Sequence, residues 1–287
     1  EEIGGFQTQT ITEDIHTSMN LHAKGYRSCY LNRVLSAGLM PETFEGYLKQ
    51  RKRWAMGCIQ ILLRDNPLTK RGLTVPQRLD YFGSIFYFFF GLPRVICLIA
   101  PLSSLLFHTP PIQANVLQLS LFFFSFYAAS ALVMRPVSRG SRNPFWSDIY
   151  ELAMCFALSA VAFKALISPR KERAFEVTPK GQRVKRNTFA ELALAWPHLI
   201  IFGLLAGGLV LGIQSFRHGT GDPGLPISIF WGSVNLLLLT IAMFVASEQT
   251  QGRQAFRLHR DFVSELCADD FSVAARILNI NEHGVAL

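Results

Sequence analysis

The sequence predicts a mixed fold class, in which soluble α/β sequence leads into a multi-pass α-helical membrane region. Half of the 287 residues are hydrophobic and the mean hydropathy is +0.26, which is too apolar for an ordinary soluble domain of this length. At the same time, 17% of the residues are charged, which is too many for a bundle of membrane helices alone. Four apolar stretches are each long enough to cross a bilayer, which takes ~20 residues.

Residues 1–78 form the soluble part of this prediction. Ser18 to Lys24 has a helical pattern that Gly25 interrupts, whereas Arg27 to Leu31 is typical of a strand. A second helix is predicted from Pro41 to Leu63. Together these segments predict a soluble α/β region ahead of the membrane.

The predicted membrane spans are four apolar stretches, near residues 82–107, 114–134, 190–216 and 226–247. A fifth apolar stretch, 145–167, carries Asp148, Glu151 and Lys164. Its periodicity is only weakly amphipathic, so the pattern alone leaves open whether it crosses the bilayer.

The charges of the connecting loops decide that question. Loops 108–113 and 217–225 are poor in charge, whereas 135–144 has three arginines and 168–189 has seven Lys or Arg against two Glu. Basic loops stay in the cytoplasm, and both can do so only if 145–167 does not cross. We therefore expect 145–167 to lie at the cytoplasmic interface and both ends of the chain to be cytoplasmic. The net charge of +8 thus follows membrane topology and does not indicate a nucleic acid partner.

The triplet Thr12-Glu13-Asp14 lies in the soluble part. Thr12 can cap a helix that begins there. A helix N-terminus also keeps a nearby carboxylate, such as that of Asp14, ionised and fixes the direction in which it points. A carboxylate of this kind can act as a general base toward a hydroxyl. Acids in the first turn of a helix are also common without any function, and an isolated triplet favours that interpretation.

The segment Gln50-Arg51-Lys52-Arg53-Trp54 lies on the second predicted helix. Gln50, Arg53 and Trp54 share a helical face by their spacing. Arg53 can hold a diphosphate through bidentate contacts, and Trp54 offers a flat surface on which a sugar ring can stack. The alternative is an interfacial helix with a snorkelling arginine and an aromatic anchor, which remains a sufficient explanation for Arg51 and Lys52.

Four signatures occur in one order along the chain. The triplet 12–14 and the segment 50–54 resemble the Thr-Glu-Asp and Gln-x-x-Arg-Trp motifs of processive family-2 glycosyltransferases, the membrane synthases of cellulose, chitin and hyaluronan. FEVTPKG at 175–181 resembles the FxVTxKG gating loop of bacterial cellulose synthase catalytic subunits. RQAFR at 253–257, followed by NINEHG at 279–284, is similar to the RxxxR and D/N-x-S-x-x-G pair of PilZ domains.

The resemblance implies a division of the chain into six parts. The implied parts are the C-terminal part of a cytoplasmic GT-A-like glycosyltransferase domain (1–78), two transmembrane helices (79–134), a cytoplasmic interface helix (145–167), a gating loop (168–189), two transmembrane helices (190–248) and the start of a PilZ β-barrel (249–287). The chain opens on Glu1 and ends at Leu287, and we expect it to be a piece of a longer protein.

The resemblance also implies the role of each site residue. Asp14 would be the catalytic base, Arg53 would contact the leaving group and Trp54 would form the acceptor site. The further substrate contacts implied are Thr12, Glu13, Gln50, Phe175, Val177, Thr178 and Lys180. Of these, Phe175, Val177 and Thr178 would enter the site above the nucleotide. The alternative is that this loop only connects two helices and is basic because it lies in the cytoplasm.

Cyclic di-GMP is the ligand that the PilZ resemblance implies. The residues implied to bind it are Arg253, Arg257, Asn279, Asn281 and Gly284. Guanidinium groups pair with phosphates and stack on guanine, which suits a cyclic dinucleotide. Lipid headgroups beside the membrane are the alternative partners for the two arginines. Asn281 replaces the usual serine, and Gly252 stands where cellulose synthases often carry another arginine.

Arg94 is a charge inside a predicted span. Only thirteen residues separate it from the end of the apolar stretch, from Val95 to Phe107, which is too short to cross. Such a charge normally faces a cavity or a partner. Arg94 is therefore a candidate for lining a polymer channel, with a snorkelling arginine on the cytoplasmic side as the equal alternative.

The expected function is processive transfer of glucose from UDP-glucose to a growing β-1,4-glucan, with translocation across the bacterial inner membrane and activation by cyclic di-GMP. A divalent cation, Mg²⁺, is implied as cofactor, with ligands mostly upstream of this stretch and no metal site within it. The expected partners are UDP-glucose, the glucan chain, the membrane and a periplasmic accessory subunit. Another processive β-glucan or chitin-type synthase remains open, as does a non-catalytic cyclic di-GMP receptor in a membrane complex.

Overall fold

The structure is a computed structural model of the chain, and it describes residues 4–31, 33, 35–36, 41, 43–112, 116–138, 143–167, 188–247, 258–268, 271–281 and 284–286. The described residues fall into two compact units. The first unit is helical and ends at residue 247, and the second consists of strands between residues 258 and 286.

Two helices make up most of the described soluble part. α1 spans Glu13–Ala23 and stops before Gly25, whose φ of +88° lies in the left-handed region that glycine tolerates. α2 spans Phe44–Arg64, and the hydroxyl of its N-cap residue Thr43 accepts a hydrogen bond from the Gly46 amide at 2.8 Å. Both helices were predicted. α1 begins directly after Thr12, where the sequence predicted a helix start, and α2 begins later than Pro41.

The strand predicted at Arg27 to Leu31 is wrong. This segment has no regular secondary structure, and the described part of residues 4–78 contains no strand. A strand requires a neighbour that satisfies its backbone groups, and no such neighbour lies in the described part of this region. The α/β prediction for 1–78 is thus supported in its helices alone.

The first predicted span, 82–107, is not a single helix. α3 spans Val75–Phe86, a 3-10 turn covers Tyr87–Phe89, and α4 spans Gly91–Phe107, with a bend of 44° between the two parts. Pro93 in the first turn of α4 is compatible with a helix start at this bend. The first helix therefore begins earlier than the predicted span, and the break at residues 87–90 leaves Arg94 in the first turn of α4.

The remaining apolar stretches are helices, as predicted. They are α5 (Val116–Ser138), α6 (Pro144–Ile167), α7 (Thr188–Arg217) and α8 (Leu225–Ala246). All four are long and apolar enough to cross a membrane, and the bent pair α3–α4 makes a fifth candidate if it is one span. α6 therefore also meets the length criterion, and its predicted position at the interface remains a prediction about topology.

α6 joins the core of the helical unit. Met154 and Leu158 of α6 pack with Leu48 and Cys58 of α2, and the buried Ala162 and Ala165 continue this contact toward the C-terminal end of α6. On its N-terminal half, other α6 residues pack against α4, α7 and α8; they are Ile149, Leu152 and Ala153. α6 therefore connects the motif helix α2 to the apolar helices.

The second unit is a three-stranded antiparallel sheet in the order β1-β2-β3. Its strands are β1 (Leu258–Ala268), β2 (Phe271–Asn281) and β3 (Gly284–Ala286). Asn279 pairs with Ala286 and Asn281 with Gly284, so the described residues of the NINEHG segment lie on the paired strands β2 and β3. The described strands form an open sheet and do not by themselves show the predicted PilZ barrel.

Candidate active site

The Thr-Glu-Asp triplet lies where α1 begins. Glu13 and Asp14 occupy the first turn and are exposed, and Asp14 Oδ1 accepts a hydrogen bond from the Ile15 amide at 2.8 Å. The prediction that Thr12 caps α1 through its side chain is wrong. Thr12 occupies the N-cap position, but its hydroxyl makes no capping hydrogen bond and is buried. The physical reason is the tertiary contact that this side chain makes instead.

That contact is with Gly57 of α2. A Cβ atom placed on Gly57 would lie 2.6 Å from Thr12 Oγ1, 2.7 Å from Thr12 Cγ2 and 2.7 Å from the Thr12 backbone nitrogen. Real Cβ atoms essentially never come within 3.0 Å of such atoms. Glycine is therefore required at position 57 for the start of α1 to sit directly on α2.

Gly57 lies on the same part of α2 as the second motif. It follows Arg53 by four residues and Trp54 by three, so all three share one helical face. The structure thus seats Thr12, the residue before the first turn of α1, on the part of α2 that carries Arg53 and Trp54. The sequence predicts each motif separately, whereas their meeting at Gly57 is a finding of the structure.

The buried thiol of Cys58 on α2 is influenced by two residues at the start of α1. Burial raises the pKa of Cys58 to about 12, the Thr12 hydroxyl opposes this rise, and the Asp14 carboxylate adds to it. Thr12 Oγ1 faces the thiol but has no hydrogen-bond partner of ordinary geometry among the described residues. Thr12 and Asp14 therefore both belong to the electrostatic environment of this buried thiol.

Trp54 presents an accessible aromatic surface next to this junction. Its residue is 37% exposed, and the guanidinium carbon of Arg51 lies 5.2 Å from the Trp54 ring centroid and 5.0 Å from that of Tyr47. Arg51 Nε also donates to the Tyr47 hydroxyl at 2.9 Å. Arg51 therefore bridges two aromatic rings, a role that the sequence prediction of a lipid-facing arginine did not include.

Positive charge surrounds the exposed face of α2. Burial lowers the pKa of Lys52, the nearby Lys164 of α6 and Lys49 lower it further, and Glu45 raises it. Arg53 and Gln50 are partly buried on the same helix. A region in which basic groups already repel one another is favourable for an anion such as a diphosphate.

A polar cluster holds α1 to the end of α2. His16 is buried; its Nδ1 lies 3.0 Å from the Thr10 hydroxyl and its Nε2 lies 3.2 Å from Asp65 Oδ2. Lys70 forms an ion pair with the same carboxylate oxygen. Sequence reasoning missed His16, Asp65 and Gly57. Only Gly57 has a local signal, because glycine inside a helix marks a close approach.

Arg94 has a partner in the described structure. It forms ion pairs with Asp148 and with Glu151 Oε2 on α6, the latter at 3.4 Å, and the Tyr87 hydroxyl donates to Glu151 Oε1 at 3.3 Å. A charge below the headgroups was expected to face a cavity or a partner, and here it links α4 to α6. Its candidacy as a channel residue remains a prediction.

Several predicted site residues lie outside the described residues. They are Phe175, Val177, Thr178, Lys180, Arg253 and Arg257. Asn279, Asn281 and Gly284 are described as backbone positions in the β2–β3 hairpin. Among the described residues, no group of three or more His, Cys, Asp or Glu side chains could hold a metal ion.

Comparison with known proteins gives a family match and full-length relatives. Residues 1–134 match the family described as glycosyl transferase family group 2. The chain is 36% identical over 262 residues to cellulose synthase 1 catalytic subunit (UDP-forming) of Komagataeibacter xylinus, covering 90% of this chain and 35% of that protein.

Two further relatives agree with this match. Over 289 residues the chain is 33% identical to cellulose synthase catalytic subunit (UDP-forming) of Pseudomonas fluorescens (strain SBW25), covering 100% of this chain and 39% of that protein. The protein of the same name from Komagataeibacter sucrofermentans is 34% identical over 264 residues, which cover 90% of this chain and 35% of that protein. The chain thus spans little more than a third of the length of these three relatives.

Proposed function

The chain is homologous to the catalytic subunits of UDP-forming cellulose synthases, and from this relationship we propose that it is part of a membrane synthase that transfers glucose from UDP-glucose to the non-reducing end of a β-1,4-glucan. The observation that carries the proposal is the seating of Thr12 on Gly57. This contact supports the proposal because it seats the residue before Glu13 and Asp14 on α2, four positions from Arg53 and three from Trp54 along that helix.

Asp14 is the proposed general base. The acceptor sugar hydroxyl loses its proton to the carboxylate while its oxygen attacks the anomeric carbon of the donor glucose, and the bond from that carbon to UDP breaks. The position of Asp14 supports the role, because the carboxylate is exposed to incoming substrate and lies in the first turn of a helix.

Arg53 is proposed to contact the leaving group, and Trp54 is proposed to contact the acceptor sugar. The Arg53 guanidinium pairs with the diphosphate and stabilises the charge that develops as UDP leaves. The Trp54 ring supports the acceptor sugar, and its accessible surface together with the Arg51 bridge to Tyr47 favours a fixed platform. Thr12, Glu13 and Gln50 are proposed as further substrate contacts near the same junction.

The apolar helices are proposed to carry the product through the bacterial inner membrane. The Arg94 cluster lies where α4 meets α6, and it supports a polar path at the start of the membrane region. In the proposed topology α6 remains on the cytoplasmic side, since the basic segments on either side of it belong there. A periplasmic accessory subunit would receive the emerging chain.

The proposal also includes regulation of the synthase by cyclic di-GMP. The FEVTPKG segment would act as a lid over the nucleotide, and the segments RQAFR and NINEHG would bind the dinucleotide. The pairing of Asn281 with Gly284 across β2 and β3 supports the second segment, because it brings two of the proposed ligand-binding positions next to each other. Ligand binding would shift a lid that has two states.

The proposal is tested with the protein at its natural full length in lipid nanodiscs. We expect radiolabel from UDP-glucose to enter a polymer that endo-β-1,4-glucanase degrades, with higher yield in the presence of cyclic di-GMP. UDP-N-acetylglucosamine is the matched donor control. Polymer formed from the control donor alone would replace the proposed function by a chitin-type synthase, and no polymer from either donor would contradict it.

A further inference from the structure

We propose that His16 is a positioning residue for the transfer reaction: by linking Thr10 to Asp65, it holds the catalytic start of α1 against the face of α2 that carries Arg53 and Trp54. This inference rests on the proposed function. Three observations carry it, namely the burial of His16, the occupation of both its ring nitrogens and the place of its partners in the fold.

His16 is buried to the point where its hydrogen bonds must be made within the protein. Its residue is 3% exposed, and both ring nitrogens have a partner, Thr10 and Asp65. An ionised carboxylate can only accept, so Nε2 carries a proton and donates it to Asp65 Oδ2. Removing such a partner leaves a buried ring nitrogen without a hydrogen bond, and this costs free energy. The two contacts therefore favour one position of His16 over others.

Asp65 is fixed at the end of α2. It is the C-cap residue of that helix, and its backbone amide donates to the Ile61 carbonyl at 2.8 Å. Its carboxylate also pairs with Lys70 in the following turn. The partner of His16 is therefore held on two sides, so the histidine is tied to a firm point and not to a mobile side chain.

The chain before α1 is attached to the same two helices. The Gln7 amide donates to the Thr17 hydroxyl at 3.0 Å, and Arg64 Nη1 donates to the Gln9 carbonyl at 2.7 Å. Together with the Thr10–His16 contact, these bonds attach the segment just before the triplet both to α1 and to the end of α2. His16 is the one buried link among them that reaches from α1 to α2.

Asp14 is two residues before His16 on the same helix. Rotation or lifting of α1 about the Thr12–Gly57 contact would therefore move the Asp14 carboxylate relative to Trp54. A misplacement of about 1 Å at a reacting group can cost about a hundredfold in rate. The His16–Asp65 link opposes that movement without touching substrate, which is why it is a positioning and not a catalytic contact.

The test uses side chains that keep one of the two imidazole contacts. His16→Gln places an amide nitrogen where Nε2 stood and keeps the bond to Asp65, whereas His16→Asn reaches only the Nδ1 side and Thr10. In the full-length protein, His16→Ala and His16→Asn should lower kcat with UDP-glucose by about 10- to 100-fold at nearly unchanged KM and UDP affinity. His16→Gln should stay close to the parent.

A second readout does not depend on polymer synthesis. Cys58 lies buried below Thr12, so lifting of α1 should expose its thiol. Site-resolved mass spectrometry after brief alkylation should show faster labelling of Cys58 in His16→Ala, with the buried Cys155 as the internal control for global unfolding. Unchanged Cys58 labelling overturns the inference even in a protein that makes no polymer.

The outcomes separate this inference from the proposed function. An inactive parent with accelerated Cys58 labelling in His16→Ala contradicts the synthase but supports the link between the helices. An active parent whose His16→Asn variant equals His16→Gln in kcat overturns the role of the Asp65 bond. Equal acceleration of Cys58 and Cys155 labelling overturns it as well, because that pattern means general destabilisation.

Discussion

Gly57→Ala is predicted to damage the active site through one added methyl group. The new Cβ would lie 2.6–2.7 Å from three atoms of Thr12, and one of them is a backbone nitrogen. Side-chain rotation can relieve the contacts to Oγ1 and Cγ2, but only a shift of the backbone can relieve the contact to nitrogen. The start of α1 must therefore move away from α2, and Asp14 must move with it.

The magnitude follows from the cost of overpacking. An extra methyl group in a tight contact costs about 1–3 kcal/mol, and replacing glycine by alanine inside a helix returns about 1 kcal/mol. The net loss of stability is therefore small, about 0–2 kcal/mol. The larger effect is expected on the rate, because relief of the strain displaces Asp14. If the same roughly 1–3 kcal/mol is added to the activation free energy of glucosyl transfer, the rate falls by about 5- to 150-fold.

Initial rates of glucan synthesis by the full-length protein are the assay, with the thermal midpoint in nanodiscs measured on the same samples. Gly83→Ala is the matched control, because Gly83 lies in α3 and its added Cβ meets no atom within 4 Å. The reasoning is refuted if Gly57→Ala and Gly83→Ala synthesise glucan equally fast. Thr12→Ala in addition to Gly57→Ala should restore only part of the rate, since the backbone contact remains.

Three further predictions concern the site, the topology and the regulator. Trp54→Ala should slow elongation at unchanged UDP affinity, and Arg53→Ala should weaken UDP affinity by about tenfold or more; titration of UDP in both variants distinguishes these roles from the reverse assignment. Cysteines placed at Asn143 and Lys180 should both resist an impermeant thiol reagent in intact cells, whereas labelling of only one means that α6 crosses the membrane. Alanine at both arginines of RQAFR should abolish binding of cyclic di-GMP in calorimetry, and binding equal to the parent would leave this segment a lipid-facing basic patch.

The helices were predictable because their signals are local. Long apolar runs, loop charge and helix breakers each depend on residues close together in the chain, and α5, α7 and α8 lie near the predicted ranges. The bend before Arg94 was missed, because the run from 82 to 107 is apolar on both sides of the 3-10 turn. Apolar composition does not distinguish a straight span from a bent one.

The junction of the site was not predictable, since it depends on contacts between distant residues. His16 and Asp65 are 49 positions apart, and the start of α1 reaches Gly57 across a connection of similar length. Neither contact leaves a periodic pattern in the sequence. The Thr12 side chain shows the consequence: its local preference for capping gives way to packing on Gly57.

The Arg94 cluster is an intermediate case. Asp148 and Glu151 are three apart and therefore share a face of α6, and they are the two acidic residues of a mainly apolar helix. An arginine in one apolar segment and two carboxylates in another are expected to pair, because unpaired charges in such segments are costly. The sequence thus contained the partners, although it did not specify which of them Arg94 meets.

The central claim is that Asp14 is the base of a glucosyl transfer reaction, and Asp14→Asn in the full-length protein tests it most directly. The amide keeps the size of the side chain but cannot take the proton, so glucan synthesis should fall about 10²-fold or more while UDP-glucose still binds. Glu13→Gln is the matched control, because Glu13 is the other exposed acid of the same helical turn. The account predicts a far larger loss for Asp14→Asn than for Glu13→Gln, and near-parental synthesis by Asp14→Asn would contradict it.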